Sequence, residues 1–149
     1  MRKVAAAVAI YTMLAFAVPF SGASQTPKSV LENFGYLGHW APDCSRKAQP
    51  GNSHMRVSVA PSGGVVARNS LGESYQDNVN DILDAKLLSK DRLWIRTLLN
   101  GEQEREWEVV READRVRTVL NRKPDGSYIT KDGIVLSSGN PTPWLSRCR

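Results

Sequence analysis

Two histidines, two cysteines, four tryptophans and 20 Lys/Arg side chains are the groups in this chain whose types could carry chemistry. His39 sits beside Trp40 in the opening segment and His54 begins a predicted strand. Neither has a carboxylate or a second histidine at the spacing of a metal site or a general base. No nucleophile elbow frames a serine. Ser62-Gly63-Gly64 is a turn without the following Lys-Ser/Thr and helix that a phosphate loop requires. The expectation is a protein that is not an enzyme, with no catalytic residues, no metal ligands and no cofactor.

Cys44 and Cys148 lie at opposite ends of the region that follows the apolar leader. They lack the Cys-x-x-Cys spacing of a redox or metal pair, and an even count in an exported chain predicts a bridge. Closing so long a loop would stabilise the fold by up to about 4.7 kcal/mol through the entropy of the unfolded chain. Trp40 and Trp144 each stand four residues before one of these cysteines. The bridge would therefore bring both rings to the same end of the fold.

Arg111, Arg115, Arg117, Arg122 and Lys123 form a basic cluster, but Glu104, Glu106, Glu108 and Glu112 alternate along the neighbouring segment. Opposed charges across a hairpin predict a solvated, salt-laced outer face. Aromatics interleaved for base stacking are missing, so no nucleic-acid partner is expected. Arg105 and Arg111 differ, because strand parity sends them to the same face as Trp107 and Val109. An arginine on an inner face must be paired, sit at the mouth or meet an anion. The candidate ligand-binding residues are therefore Arg105, Trp107, Arg111 and Trp40.

These side chains need elements to position them. Met1-Arg2-Lys3, the apolar run from Val4 to Phe20 and the small residues Ser21-Gly22-Ala23 have the order of a secretory signal peptide over residues 1–23. Pro19 and the Ser/Gly cluster cut the run short of a membrane span. No cysteine near the cleavage point offers a lipid anchor. Export to the periplasm or beyond is expected, and loss of Arg2 and Lys3 lowers the formal charge of +5. The remainder has the length of one domain.

Residues 24–36 read as an arm with a short helix at Ser29-Val30-Leu31-Glu32-Asn33, and residues 37–149 as the folded domain. Turn signals recur at Ser62-Gly63-Gly64, Ser89-Lys90-Asp91, Asn100-Gly101, Ala113-Asp114, Pro124-Asp125-Gly126 and Lys131-Asp132-Gly133. Between them, strands are expected near 38–43, 55–61, 64–69, 75–88, 92–99, 103–112, 115–123, 127–131 and 134–138. Consecutive antiparallel strands without crossover helices predict an all-β, up-and-down barrel of about eight strands.

The registers can be read in part. A two-residue turn at Ala113-Asp114 would pair Trp107 with Leu120 and Val109 with Thr118 inside, and Glu112 with Arg115 and Glu104 with Lys123 outside. A three-residue loop, Asn100 to Glu102, places Leu93, Ile95 and Leu99 inside with Trp107 and sets Arg96 opposite Glu106. The expected core holds Trp107, Val109, Leu120, Ile95 and Leu93.

Gly38-His39-Trp40 on the first predicted strand, followed by a meander and a closing cysteine, resembles the Gly-x-Trp opening of lipocalin-like (calycin) barrels. In that superfamily the tryptophan closes the barrel's base and the cavity takes small apolar or amphipathic ligands. Gly38 and Trp40 are the residues that carry over, and the architectural resemblance covers residues 36–148. The chain departs from it in having no recognisable C-terminal helix and in its shorter strands. It is also similar to small periplasmic proteins of Gram-negative bacteria with an early Trp-x-x-x-Cys and a late Cys. Bacterial metalloprotease inhibitors are similar too, as small exported barrels with one disulfide, although theirs closes a short loop. The resemblance implies a monomeric periplasmic or secreted binding module for a small amphiphilic ligand, anionic if Arg105 and Arg111 meet it. The alternative is a filled barrel that interacts with or inhibits an extracytoplasmic protein, through Ser24 to Phe34 or Ala41 to Ser53.

Overall fold

A computed structural model describes residues 25–149, and the expected signal peptide lies outside them. The first element, α1 (Pro27–Phe34), is longer than its predicted span because Thr26 serves as its cap. The Thr26 hydroxyl accepts from the Ser29 N–H, and Pro27 supplies a pre-set φ in the first turn. Gly35 ends the helix at φ +75°, where glycine carries no Cβ penalty; its N–H donates to Glu32 O and that of Tyr36 to Leu31 O. An isolated helix of eight residues is not stable in water. Burial of Val30, Leu31 and Phe34 is what holds this one in place.

The strands are β1 (Gly38–Ala41), β2 (His54–Val59), β3 (Val65–Ser70), β4 (Asn78–Ser89), β5 (Arg92–Leu99), β6 (Gln103–Glu112), β7 (Arg115–Arg122), β8 (Tyr128–Lys131), β9 (Ile134–Val135) and β10 (Leu145–Cys148). Each of β1 to β7 pairs antiparallel with the next, and β10 pairs with both β1 and β7. Eight strands thus close a barrel. The strands β8 and β9 leave the ring as a flap attached to the far half of β7, through Asn121↔Thr130 and Arg122↔Tyr128.

The closing strand is one that turn signals did not mark, since Leu145-Ser146-Arg147-Cys148 is short and follows Pro141 and Pro143. It meets β7 at Leu145↔Val116 and Ser146↔Arg115, and β1 at His39↔Cys148, Trp40↔Arg147 and Ala41↔Ser146. The Cys44–Cys148 disulfide ties it down. Trp40 is buried and donates its indole N–H to Tyr36 O at 2.9 Å. The Arg147 guanidinium lies 4.5 Å from the centre of its ring, and also donates to the carbonyls of Gly35 and Leu37. A Cβ at Gly38 would come within 2.8 Å of Arg147 Nη1. Gly-x-Trp at this place is the footprint of a guanidinium that needs the space beside the indole. Trp144 goes elsewhere: its ring meets Arg115 at 4.7 Å on the outer side of β7, not Trp40.

The barrel's core comprises Val57, Val65, Ala67, Ile82, Ala85, Leu93, Ile95, Val109 and Val116, capped by Val30, Leu31 and Phe34 of the helix. The loop Asn100 to Glu102 has three residues, as the pairs Leu99↔Gln103 and Arg96↔Glu106 require. The β6–β7 hairpin keeps Val109↔Thr118 and Glu112↔Arg115 but then bulges, with Val119 unpaired. This corrects the expected partner of Trp107, which is Asn121 and not Leu120. Leu120 turns outward opposite Glu108, Asn121 turns inward, and Arg122 instead of Lys123 meets the glutamate row. The bulge has a visible cause, because the Val119 carbonyl accepts from Gly133 N–H of the flap at 2.8 Å.

Outside, Arg92 pairs with Glu108 at 2.5 Å, Arg115 with Glu112 at 2.5 Å, Arg96 with Glu104 at 3.7 Å, and Arg122 with Glu106. Among the described residues no helix is long and apolar enough to cross a membrane. Replacing both Cys44 and Cys148 by serine is expected to cost about 2–5 kcal/mol, read as a lower midpoint in urea. Equal midpoints would mean that β10 closes the ring without its covalent tie.

Candidate functional site

The two ends of the barrel differ. At the end bearing the β4–β5 turn, α1 fills the lumen, and Arg111 secures it by donating to Phe34 O at 2.5 Å and Lys90 O at 3.1 Å. Its guanidinium lies 4.9 Å from the centre of the Phe34 ring. Arg111 is thus a latch on the plug. Trp40 belongs to the same closed end, buried under Arg147.

Towards the other end the inward positions change from aliphatic to polar. They are Asn69 on β3, Asn78 and Asn80 on β4, Thr97 on β5, Trp107 on β6, and Thr118 and Asn121 on β7. The ladder brings several of them together: Thr97 lies opposite Ile82, one rung from Asn80, while Trp107 lies between Ile95 and Asn121. A cavity of about 290 Å³ opens here. Met55, Asn69, Asn78, Trp107, Thr118 and Leu145 contribute to its wall from β2, β3, β4, β6, β7 and β10, with Ser53, Leu71, Thr142 and Pro143 beside them, so it is a partly open cleft at the barrel's mouth. No charged side chain lines it.

Several polar atoms on this inner face are buried without a hydrogen-bond partner: both amide atoms of Asn80, Thr97 Oγ1, Trp107 Nε1 and Asn121 Oδ1. Asn80 and Thr97 are each only 1% exposed. An unmade hydrogen bond of this kind costs about 1–3 kcal/mol, and a sheet that wanted only stability would place valine or leucine there. Trp107, which lines the cavity and carries one of these unpartnered atoms, marks the polar end of the barrel as the candidate site.

The expected site residues therefore separate. Trp107 lies in the cavity wall. Arg105, two positions nearer the open end, donates to Gln103 Oε1 at 2.5 Å and Glu104 O at 2.9 Å, both in exposed surroundings at the rim. Arg105 and Arg111 are six positions apart on one strand, about 20 Å at the rise of an extended chain. One ligand head group does not reach both. The asparagines and Thr97 were not singled out by sequence reading. Their signal was available, since Asn80 and Thr97 have the parity of Ile82 and Ile95, but Asn78-Val79-Asn80-Asp81 has the polar composition of a strand end.

The histidines also come together, against expectation. His39 Nε2 and His54 Nδ1 are 2.9 Å apart on the outer face, because the β1–β2 register sets His39 opposite Arg56, one rung from His54. Burial, then the nearby charges of Arg56 and His54, hold His39 below the usual histidine range. Among the described residues no group of three or more His, Cys, Asp or Glu is arranged to hold a metal. No family model, curated protein or solved structure matches this chain.

The different placements of the two arginines have a measurable consequence. Arg111→Ala removes charged donors from the plug's carbonyl and is expected to cost about 1.5–3 kcal/mol. Arg105→Ala at the rim should stay within about 0.5 kcal/mol, and denaturant titration of the two variants separates them.

Proposed function

We propose that this protein is an exported, lipocalin-like binding module, periplasmic or secreted, that takes a small amphiphilic ligand into the open half of its barrel. The observation that carries this reading is the cavity of about 290 Å³ at the open end of the barrel, whose wall includes Trp107 with its unpartnered indole N–H. Its volume lies at the low end of small-molecule sites, which suits a ligand no larger than a single substituted ring or a short chain. The Trp107 indole and Met55 offer apolar surface, and the amides of Asn69 and Asn78 offer donors and acceptors. The lining is uncharged, so the part of the ligand inside the lumen is neutral. An anionic group would remain at the mouth, within the reach of Arg105.

The disulfide fits an oxidising, extracytoplasmic compartment. The alternative of an inserted inhibitory arm has less support, since Val30, Leu31 and Phe34 are spent inside this chain's own barrel.

The test uses a neutral single-ring amphiphile with an environment-sensitive fluorescence, 4-(dimethylamino)benzonitrile, together with native mass spectrometry of protein recovered from its own compartment. Saturable fluorescence enhancement and a retained adduct are expected for the wild type. Asn69→Trp and Thr118→Trp, which fill the lumen, should abolish both, whereas Arg111→Ala should retain them as long as the barrel is folded. A wild type that neither binds the probe nor carries an adduct, or blocked variants that bind equally well, would overturn the reading.

A further inference from the structure

A second constellation lies outside the barrel, where β1, β2 and β3 turn a basic row towards solvent. His39 faces Arg56, Arg56 faces Arg68, and on the next rung His54 faces Ser70. Two arginines directly opposite each other repel, an arrangement that sheets ordinarily avoid. Asp77 offsets Arg68 at 3.6 Å. Arg56 has no carboxylate within ion-pair distance among the described residues. A groove of about 320 Å³ runs over this row, lined by His39, His54, Arg56, Arg68, Ser70 and Asp77.

The hydrogen bonds assign the protons of the histidine pair. His54 Nε2 lies 2.9 Å from Arg46 O, and a carbonyl only accepts, so Nε2 carries the hydrogen; Asn52 Nδ2, 3.2 Å from the same nitrogen, donates instead to the carbonyls of Asp43 and Lys47. His54 Nδ1 then accepts from His39 Nε2–H at 2.9 Å. In this neutral chain the one ring nitrogen left to take a proton without breaking a bond is His39 Nδ1. The neighbouring guanidinium groups make the groove hostile to a metal cation and suited to an anion.

We propose that the groove binds a compact oxyanion of the phosphate class, held by the Arg56 guanidinium and the Ser70 hydroxyl, with the His39–His54 pair supplying further positive charge on protonation. The site is independent of the lumen and does not rest on the binding function proposed for it. An oxyanion favours the imidazolium form, so by linkage the affinity for an anion of fixed charge rises as pH falls through the range in which His39 takes up a proton. The charged groups around the pair are Arg56 and Arg68 on the strands, Asp43, Arg46 and Lys47 in the β1–β2 loop, and Glu73 and Asp77 in the β3–β4 loop. From β10 it is faced by Cys148, which the disulfide keeps from titrating. Burial and Arg56 hold His39 neutral until the medium is acid, so the anion and the protons arrive together.

The experiment titrates the full mature chain with inorganic phosphate at about pH 5 and about pH 8, following the histidine ring signals by NMR and the heat of binding. Phosphate should shift the His39 and His54 signals, and sulfate, which stays dianionic across this range while phosphate loses a charge on acidification, should bind more tightly at the lower pH. Arg56→Gln should weaken binding about 10- to 100-fold, the loss expected for one charged hydrogen-bonding group. His39→Gln should retain weak binding and flatten its pH dependence, which a merely structural histidine would not do. Sedimentation with vesicles of phosphatidylcholine and phosphatidylglycerol distinguishes the source: capture of the protein assigns the site to a lipid head group, and its absence alongside phosphate binding assigns it to a soluble phosphate compound. Glu112→Gln, on the outer face of β6 away from both sites, should leave phosphate binding intact. The proposal is overturned if phosphate moves neither histidine at either pH, or if a folded Arg56→Gln variant binds it as well as the wild type.

Discussion

Ring closure depends on a strand of four residues, Leu145–Cys148, and a strand that short supplies few ladder hydrogen bonds. Its neighbours make up the difference. Leu145 packs against the core, Arg147 lies over the Trp40 indole and donates to the carbonyls of Gly35 and Leu37, and Cys148 is bonded to Cys44. Because Gly35 is also the helix terminator, the same guanidinium that seats β10 ties down the plug. Closure of the sheet and closure of one barrel end are therefore a single event. With that end sealed, the opposite end is the way into the lumen.

The lumen is divided as sharply as the ends. Aliphatic residues from β2 to β7 meet Leu31 and Phe34 around the plug, and beyond Trp107 the inward positions become Asn and Thr. Hydrophobic burial gives the first half its stability. The second half gives some of that up, since its amides and hydroxyl lie out of water without partners. A small barrel of this strand number is otherwise able to fill itself with side chains. Polar groups in such positions are the feature on which the binding role proposed for the open half rests.

Much of the barrel was legible in the chain. Alternation in Gln103–Glu112 separates Trp107 and Val109 from the glutamates, and turn residues mark the hairpins, so β2 to β8 fall close to their expected places. Less legible were features set by distant contacts. The bulge at Val119 exists because the flap's Gly133 bonds to it, and β10 exists because β1 and β7 leave a space for it. Neither cause is local in sequence. The same holds for the histidine pair, whose members are joined by the register of β1 on β2 across an irregular loop. Arg111 illustrates the reverse case: its inward parity was readable, but its partner, the Phe34 carbonyl, belongs to a helix far away in the chain. Parity gives a direction and leaves the destination open.

The bridge from Cys44 to Cys148 also determines how the molecule carries load. Tension applied at Gln25 and Arg149 runs through the helix and β1 to Cys44, crosses the sulfurs to Cys148, and leaves at the last residue. The strands from β2 to β9 lie outside this covalent path and take up load only through their hydrogen bonds to β1 and β10. Pulling would peel away α1 and shear β1 from its neighbours while the remaining hairpins stay slack. In an oxidising environment the barrel is a closed loop mechanically insulated from its own ends, and reduction would place the same strands in series with the force.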